Sequence, residues 1–224
     1  MDFAAARRNM VEGQIRTNRV TDPGVVEAML EVARERFVPP AWQALAYSDR
    51  AIPLAEVTSA PAHQHRTMLP PMVLARLLQA ARITPGDKAL HIGCNTGYGS
   101  ALLARLAGSV VALEEDDGLA RLAAKQFRAE SIARIELVRG RLADGWASNG
   151  PYDVILIEGG VERLPDQLAP QLAEDGRLVV IVSHGGTSRG EIVRRAGDRL
   201  SGFPLFDAVA PVLDGFARPV EFVF

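Results

Sequence analysis

The sequence predicts an α/β fold: a mostly parallel sheet with helices on both faces, preceded by a helical extension. Three observations carry this. From residue 87 onward, short apolar runs alternate with amphipathic segments, the pattern of strands buried on both faces by crossover helices. The run at 89–92 ends in a glycine turn, Gly93-Cys-Asn-Thr-Gly97, ahead of a helical segment. A second apolar run, 110–113, ends on the acidic residue Glu114.

Residues 1–80 read as helical and irregular. Asp22-Pro23 is a helix start, an N-cap acceptor followed by proline at the first helical position. Val25, Val26, Met29 and Leu30 continue at helical spacing towards a stop at Phe37-Val-Pro-Pro40. Residues 43–69 form a long connection with little periodicity, and connections of that length are more often functional than idle. Pro70 and Pro71 open a helix carrying Met72, Val73, Leu77 and Leu78. Strands are predicted near 88–92, 109–114, 134–138, 153–158 and 176–183, and helices near 97–107, 116–129 and 164–173. Ser183-His-Gly-Gly-Thr-Ser188 reads as a mobile loop near the cleft. The segments 204–211 and 219–224 read as two more strands, antiparallel at the sheet edge.

Composition narrows the function classes. With an apolar fraction of 48%, the 224 residues support one sizeable core. A formal net charge of −2 gives no support to a nucleic-acid partner. Cys94 is the sole cysteine, so no intrachain disulfide is possible. The start of the chain has its charge in the wrong place for a signal peptide, and no run approaches the roughly 18 apolar residues of a membrane span. The expected setting is the cytoplasm, with no membrane partner; the oligomeric state is not readable. His63 and His65 have no further ligands at metal-site spacing, so no metal is expected and both read as solvated loop residues.

The glycine turn discriminates between nucleoside cofactors. Backbone close to the ligand at the turn, with a carboxylate on the ribose hydroxyls, is how such a sheet holds a nucleoside. A dinucleotide fingerprint from Gly93 requires glycine at 95 and 98, where this chain has Asn95 and Tyr98. The G-x-x-x-G spacing of Gly93 and Gly97, with Glu114 following Gly93 by 21 residues, fits S-adenosyl-L-methionine better.

Along most of its length the chain resembles the protein-L-isoaspartate O-methyltransferase family. The residues that carry the resemblance are Arg36-Phe-Val-Pro39, Ala46-Tyr-Ser-Asp49, Thr67 with Pro71, the Gly93-to-Tyr98 turn, Glu114, Gly140, Pro151-Tyr-Asp-Val-Ile155, Leu164-Pro165, Gln171-Leu172 and Gly176-Arg-Leu178. The resemblance implies the class I methyltransferase (Rossmann-like) sheet, with residues 1–80 as a helical extension carrying a substrate loop and 81–224 as the cofactor-binding domain. It implies methylation of the free carboxylate of isoaspartyl residues in proteins or peptides, from S-adenosyl-L-methionine. Such a carboxylate, with a pKa of roughly 3.5, is ionised at neutral pH and needs placement rather than a general base. Carried onto this chain, His91, Gly93, Asn95, Gly97, Glu114 and Arg141 would hold the cofactor, and Thr67 and Asp49 would face the substrate.

The chain also departs from the family pattern. Where the substrate loop has serine and glutamine, this chain has Leu69 and Pro70, and leucine has no hydrogen-bonding group. Where an aspartate accepts from the adenine amino group, Arg141 has donors only and would stack on the ring instead, or Asp144, three residues on, would take the contact if the loop bends differently. Asn95 replaces a glycine, which asparagine does at least cost in a left-handed turn, and His91, either a cleft residue or a satisfied histidine at a strand end, replaces a glutamate. Glu158 ends a strand where the family has a small or hydroxyl residue, and would face a cationic group or solvent. Asp49 would line the cleft or cap the Tyr47-Ser48 turn. Two other functions fit these departures: methylation of a different carboxylate acceptor, or an interaction protein that has lost catalysis.

Overall fold

The alternation read from residue 87 onward folds as a seven-stranded sheet. A computed structural model describes residues 1–63, 65–197 and 199–218. In chain order the elements are α1 (Phe3–Met10), α2 (Pro23–Glu31), β1 (Ile52–Pro53), β2 (Thr67–Met68), α3 (Pro71–Ala81), β3 (Lys88–Ile92), α4 (Tyr98–Leu106), β4 (Ser109–Glu114), α5 (Asp117–Ala129), β5 (Ile135–Arg139), β6 (Tyr152–Val161), β7 (Leu172–His184), β8 (Thr187–Ala196) and β9 (Arg199–Asp207). β1 and β2 pair with each other, and the large sheet runs β5-β4-β3-β6-β7-β8-β9. Its first five strands are parallel, and β8 and β9 are antiparallel.

Strand alternation splits the core into two layers. Ala89, Val110, Ala112, Val154, Leu156, Val179 and Ile181 face the side packed by all five α-helices. Leu90, Ile92, Val111, Leu113, Ile155, Ile157 and Leu178 face the other side. That side is closed by short 3-10 turns and by Leu213 and Phe216 from the segment after β9. Residues from α1 to α3 and from the sheet share one apolar cluster, so the extension packs directly on the strands. Among the described residues no helix is long and apolar enough to cross a membrane.

Several elements differ from the sequence reading, each for a local reason. α2 starts where predicted, with the Asp22 side chain accepting from the Val25 amide at 3.0 Å. It stops at Glu31, not at residue 37, and Val32 is already extended. The following 3-10 turn, Arg34–Arg36, turns the Arg34 side chain inward onto two carbonyls. The helix predicted at 164–173 is a 3-10 turn, Asp166–Gln171. Pro170 inside it removes a donor, and Leu172 already pairs with Tyr152. The 183–188 segment is a hairpin rather than a mobile loop: Ser183 pairs with Ser188 and His184 with Thr187. Gly185 and Gly186 both have positive φ, as a two-residue type I′ turn requires. β8 was not foreseen, because only Gly190, Ile192 and Val193 of its ten residues are buried. The strand predicted at 204–211 lies earlier, as β9 at Arg199–Asp207, and the one at 219–224 falls outside the described residues.

The site follows from the topology. β3 lies between β4 and β6, so connections leave it in opposite directions across the sheet. The crevice at the carboxyl ends of strands at such a switch point is where open α/β sheets bind ligands. The turn after β3, Glu114 at the end of β4 and Glu158 in β6 all lie there.

Candidate functional site

The turn after β3 has the left-handed backbone that its residues suggest: Gly93 at φ 72°, Asn95 at 55° and Gly97 at 98°. Gly97 is also a close approach. A Cβ there would stand 2.6 Å from Cε1 of Phe127, so α5 packs against the bare backbone. The Gly93 and Cys94 amides bond the Leu113 carbonyl at 3.0 and 3.1 Å, tying the turn to β4. Burial pushes the Cys94 thiol well above its usual range, consistent with a small neutral residue in a turn.

Glu114 is the centre of the site and is fully buried. Its carboxylate accepts from the amides of Asn95 at 2.8 Å, Glu115 at 2.9 Å and Asp116 at 3.1 Å. It also accepts from both terminal nitrogens of Arg66, at 3.0 and 2.9 Å. Arg66 gives a third bond, 2.9 Å, to the Asn95 side-chain oxygen. Burial alone would lower the Arg66 pKa, but the charge and hydrogen bonds of Glu114 outweigh it and hold the guanidinium above its ordinary value. Arg66 was not among the residues expected at the site.

A second buried group sits beside the first. His91 Nδ1 lies 2.7 Å from the Ser100 hydroxyl, and its Nε2 is 3.1 Å from Glu158 Oε2 without hydrogen-bond alignment. The other oxygen of Glu158 accepts from the Leu69 amide at 3.5 Å. Both nitrogens of His91 therefore face protein groups. In this conformation His91 is a packed histidine at a strand end, and Glu158 faces a buried imidazole rather than solvent. Arg34, fully buried, donates to the carbonyls of Ala46 at 2.9 Å and Leu69 at 2.8 Å and lies 4.8 Å over the Tyr98 ring. Two buried cations, Arg34 and Arg66, thus lie among the buried acidic side chains Glu114, Asp116 and Glu158; such groups are tolerated in a core only where they are paired and hydrogen-bonded.

The long connection is anchored over this cluster. Asp116 caps α5 by accepting from the Gly118 and Leu119 amides. The same carboxylate accepts from the Ser59 amide and hydroxyl and the Ala60 amide, and bonds His63 Nδ1 at 2.9 Å. His63 Nε2 lies 3.5 Å from Asp214 in the segment after β9. So His63 is not the solvated residue the sequence suggested; it bridges two segments. Leu213 of that last segment lies over the turn: a Cβ on Gly93 would be 3.4 Å from it, and one on Gly159 would be 2.5 Å away.

Burial would raise the Asp116 pKa, but hydrogen bonds from His63, Leu119 and Ser59 outweigh it and hold the carboxyl well below its usual range. A depressed carboxylate stabilises the fold above its unfolded pKa, about 3.9, and that contribution is lost as pH falls below this value towards the folded one. We expect Asp116→Asn to cost about 2 kcal/mol at neutral pH, as for hydrogen bonds to a charged group. The gap to wild type should stay flat down to about pH 5 and shrink below about pH 4. Urea midpoints at several pH values check this; a gap that widens in acid would refute it.

The remaining predicted residues fall as follows. Thr67 pairs with Pro53 in the two-stranded ladder, and its carbonyl accepts from the Asn95 side chain at 3.3 Å. Asp49 is exposed, just before the β1 strand. Its carboxylate accepts from the Met72 amide at 3.2 Å, one of the free donors in the first turn of α3. Arg141 is exposed and precedes the 3-10 turn Leu142–Asp144. Among the described residues neither Asp49 nor Arg141 bonds to the Glu114 cluster, and no group of three His, Cys, Asp or Glu is arranged for a metal ion.

Comparison with known proteins agrees with this architecture. The family model for protein-L-isoaspartate(D-aspartate) O-methyltransferase matches residues 5–202. A protein-L-isoaspartate O-methyltransferase of Koribacter versatilis is 36% identical over 205 residues, covering 92% of this chain and 89% of its own length. Protein-L-isoaspartate O-methyltransferase 1 of Rhodopseudomonas palustris is 37% identical over 180 residues, 80% of this chain and 70% of its own. Among solved structures, a protein-L-isoaspartate O-methyltransferase superposes with a TM-score of 0.78 at 23% identity, over 93% of this chain and 66% of that longer one. The Plasmodium falciparum protein of the same description, in complex with S-adenosyl-L-homocysteine, gives 0.76 at 18% identity over 93% of this chain and 98% of its own. The structural likeness fixes the fold, and the sequence match fixes the lineage: this chain belongs to the protein-L-isoaspartate(D-aspartate) O-methyltransferase family, whose cofactor is S-adenosyl-L-methionine.

Proposed function

We propose that this chain is a methyltransferase that esterifies the free carboxylate of isoaspartyl residues in proteins and peptides. The observation that carries the reading is the family match from residue 5 to 202. The placement of Glu114 supports it, since the end of β4 beside the glycine turn is where a ribose carboxylate belongs. When bound, S-adenosylmethionine supplies a methyl group on a sulfonium, which a carboxylate of pKa roughly 3.5–4 can accept without a general base. The task of the chain is then to bind and orient. Glu114 is assigned to the ribose hydroxyls, the turn of Gly93, Asn95 and Gly97 to the amino-acid end, exposed Arg141 to the adenine face, and Thr67 to the substrate side. The partner is a protein or peptide, not a nucleic acid, and the setting is the cytoplasm, where a lone thiol such as Cys94 stays reduced.

The test is transfer of labelled methyl to a synthetic isoaspartyl peptide and to its aspartyl isomer. We expect base-labile label on the isoaspartyl peptide at least about 10²-fold above the isomer, the scale on which a misplaced reacting group loses rate. A second reading keeps the cofactor and changes the acceptor. It rests on Leu69, whose side chain is buried and whose amide goes to Glu158, leaving no hydroxyl at that point of the loop. Label on another carboxylate and none on the isoaspartyl peptide would select it.

The residues suit the cofactor only in part. The carboxylate and the left-handed turn are in place, but in this conformation Arg66 takes both oxygens of Glu114 and Leu213 lies against Gly93.

A further inference from the structure

We propose that Arg66 is a displaceable internal occupant of the cofactor seat, so that residues 54–63 and 65–68 form a latch that holds the cleft shut until an adenosyl ligand takes Glu114 from it. This rests on the cofactor reading above and adds to it a self-competing side chain of this chain.

The argument begins with the capacity of one carboxylate. Two oxygens offer about four lone-pair sites. Glu114 already accepts five donors: three backbone amides of the turn and the α5 start, and two nitrogens of Arg66. Ribose hydroxyls cannot be added to a saturated acceptor; they must replace donors. The amides of Asn95, Glu115 and Asp116 are fixed by the turn and by the start of α5. Only the Arg66 contacts come from a separate segment, 48 residues away in sequence.

Space gives the same answer. A single added carbon on Gly93 would stand 3.3 Å from Arg66 Nη2 and 3.4 Å from Leu213 Cδ1. Both side chains therefore lie against the backbone of Gly93 at the head of the turn.

The segment is built to be held and released. It is fastened at both ends, by the two-residue ladder of β1 with β2 and by the Leu54 amide on the Arg66 carbonyl at 3.0 Å. Between these, its hold is the cluster of bonds from Ser59, Ala60 and His63 to Asp116. Irregular backbone with few ladder bonds opens at low free-energy cost. Moving it takes Arg66 from a buried pair into water while the ribose hydroxyls satisfy Glu114. Apparent affinity is therefore lowered by the fraction of molecules in which the latch is open.

The test uses the full-length protein and S-adenosylhomocysteine, with calorimetry for affinity and amide hydrogen exchange for the latch. Arg66→Gln keeps an amide donor for Glu114 and removes the charge and the reach. We expect it to bind S-adenosylhomocysteine at least about tenfold more tightly than wild type. In wild type the ligand should speed exchange across residues 57–63 and at 65 and 66. Equal affinities together with unchanged exchange would overturn the latch and leave the cofactor reading standing. Absence of binding at millimolar ligand to both proteins would sink the cofactor reading and the latch with it. Should Arg66→Gln not fold, His63→Ala carries the test, because that side chain holds the segment to Asp116 and Asp214 without touching Glu114. Tighter binding than wild type is then expected, and unchanged binding overturns the proposal.

Discussion

Replacing Glu114 with glutamine should destabilise the protein by about 3–5 kcal/mol, the usual cost of removing one partner from a buried ion pair. The loss has two sources. Arg66, whose side chain is 1% exposed, keeps its charge and loses the carboxylate that neutralises it. The three amides that now share a carboxylate must share one neutral oxygen. The double variant Arg66→Met with Glu114→Gln separates these sources. Methionine brings no charge into the site, so the double variant should be more stable than Glu114→Gln alone, a non-additivity expected of groups in direct contact. Urea denaturation with slopes compared between variants measures both. A Glu114→Gln protein within about 1 kcal/mol of wild type would mean that the pair is not made in solution, and the latch would fall with it. Functionally the same substitution should abolish adenosyl binding, so stability and binding must be measured on the same preparation.

The parts of the fold that are local in sequence were legible, and those that depend on a distant side chain were not. β3, β4 and the turn between β3 and α4 follow from apolar runs, two glycines and a terminal acid, all within 26 residues of sequence. Glu114 was correctly placed at the strand end. Its partner was not, because nothing near Glu114 in sequence indicates which cation covers it. One clue was present: Arg66 is the only Lys or Arg between residues 51 and 75, a lone cation in a long connection beside a predicted carboxylate. His91 and Glu158 each depart from the family pattern, at positions 67 residues apart in the chain. With His91 opposite Leu156 in the parallel register, Glu158 lies two residues on and shares its face. That the two side chains meet is visible only in the register. His63 was misread for the same reason as Arg66: its two carboxylate neighbours lie 53 and 151 residues further along the chain.

Arg34→Met should be nearly as damaging, at about 3–5 kcal/mol, through a different mechanism. Each buried carbonyl left without a donor costs about 1–3 kcal/mol, and Arg34 serves two, those of Ala46 and Leu69. Its position over the buried Tyr98 ring adds a cation–π contribution of up to about 2 kcal/mol when desolvated. Against these stands the burial of the cation itself, which lowers the Arg34 pKa from its ordinary value and is relieved in the variant. The bonds outnumber the penalty because arginine is a planar fork that can reach two carbonyls from different segments. Lysine, a point charge on a flexible stem, can serve one at a time. Arg34→Lys should therefore recover less than half of the loss measured for Arg34→Met. The consequence extends to the substrate loop, since Leu69 is held by Arg34 at its carbonyl and by Glu158 at its amide. Without the first of these, amide exchange should quicken from Thr67 into the first turn of α3 while β3 and β4 stay protected. Exchange that quickens evenly across the sheet would instead mark Arg34 as a general core residue with no particular hold on the loop.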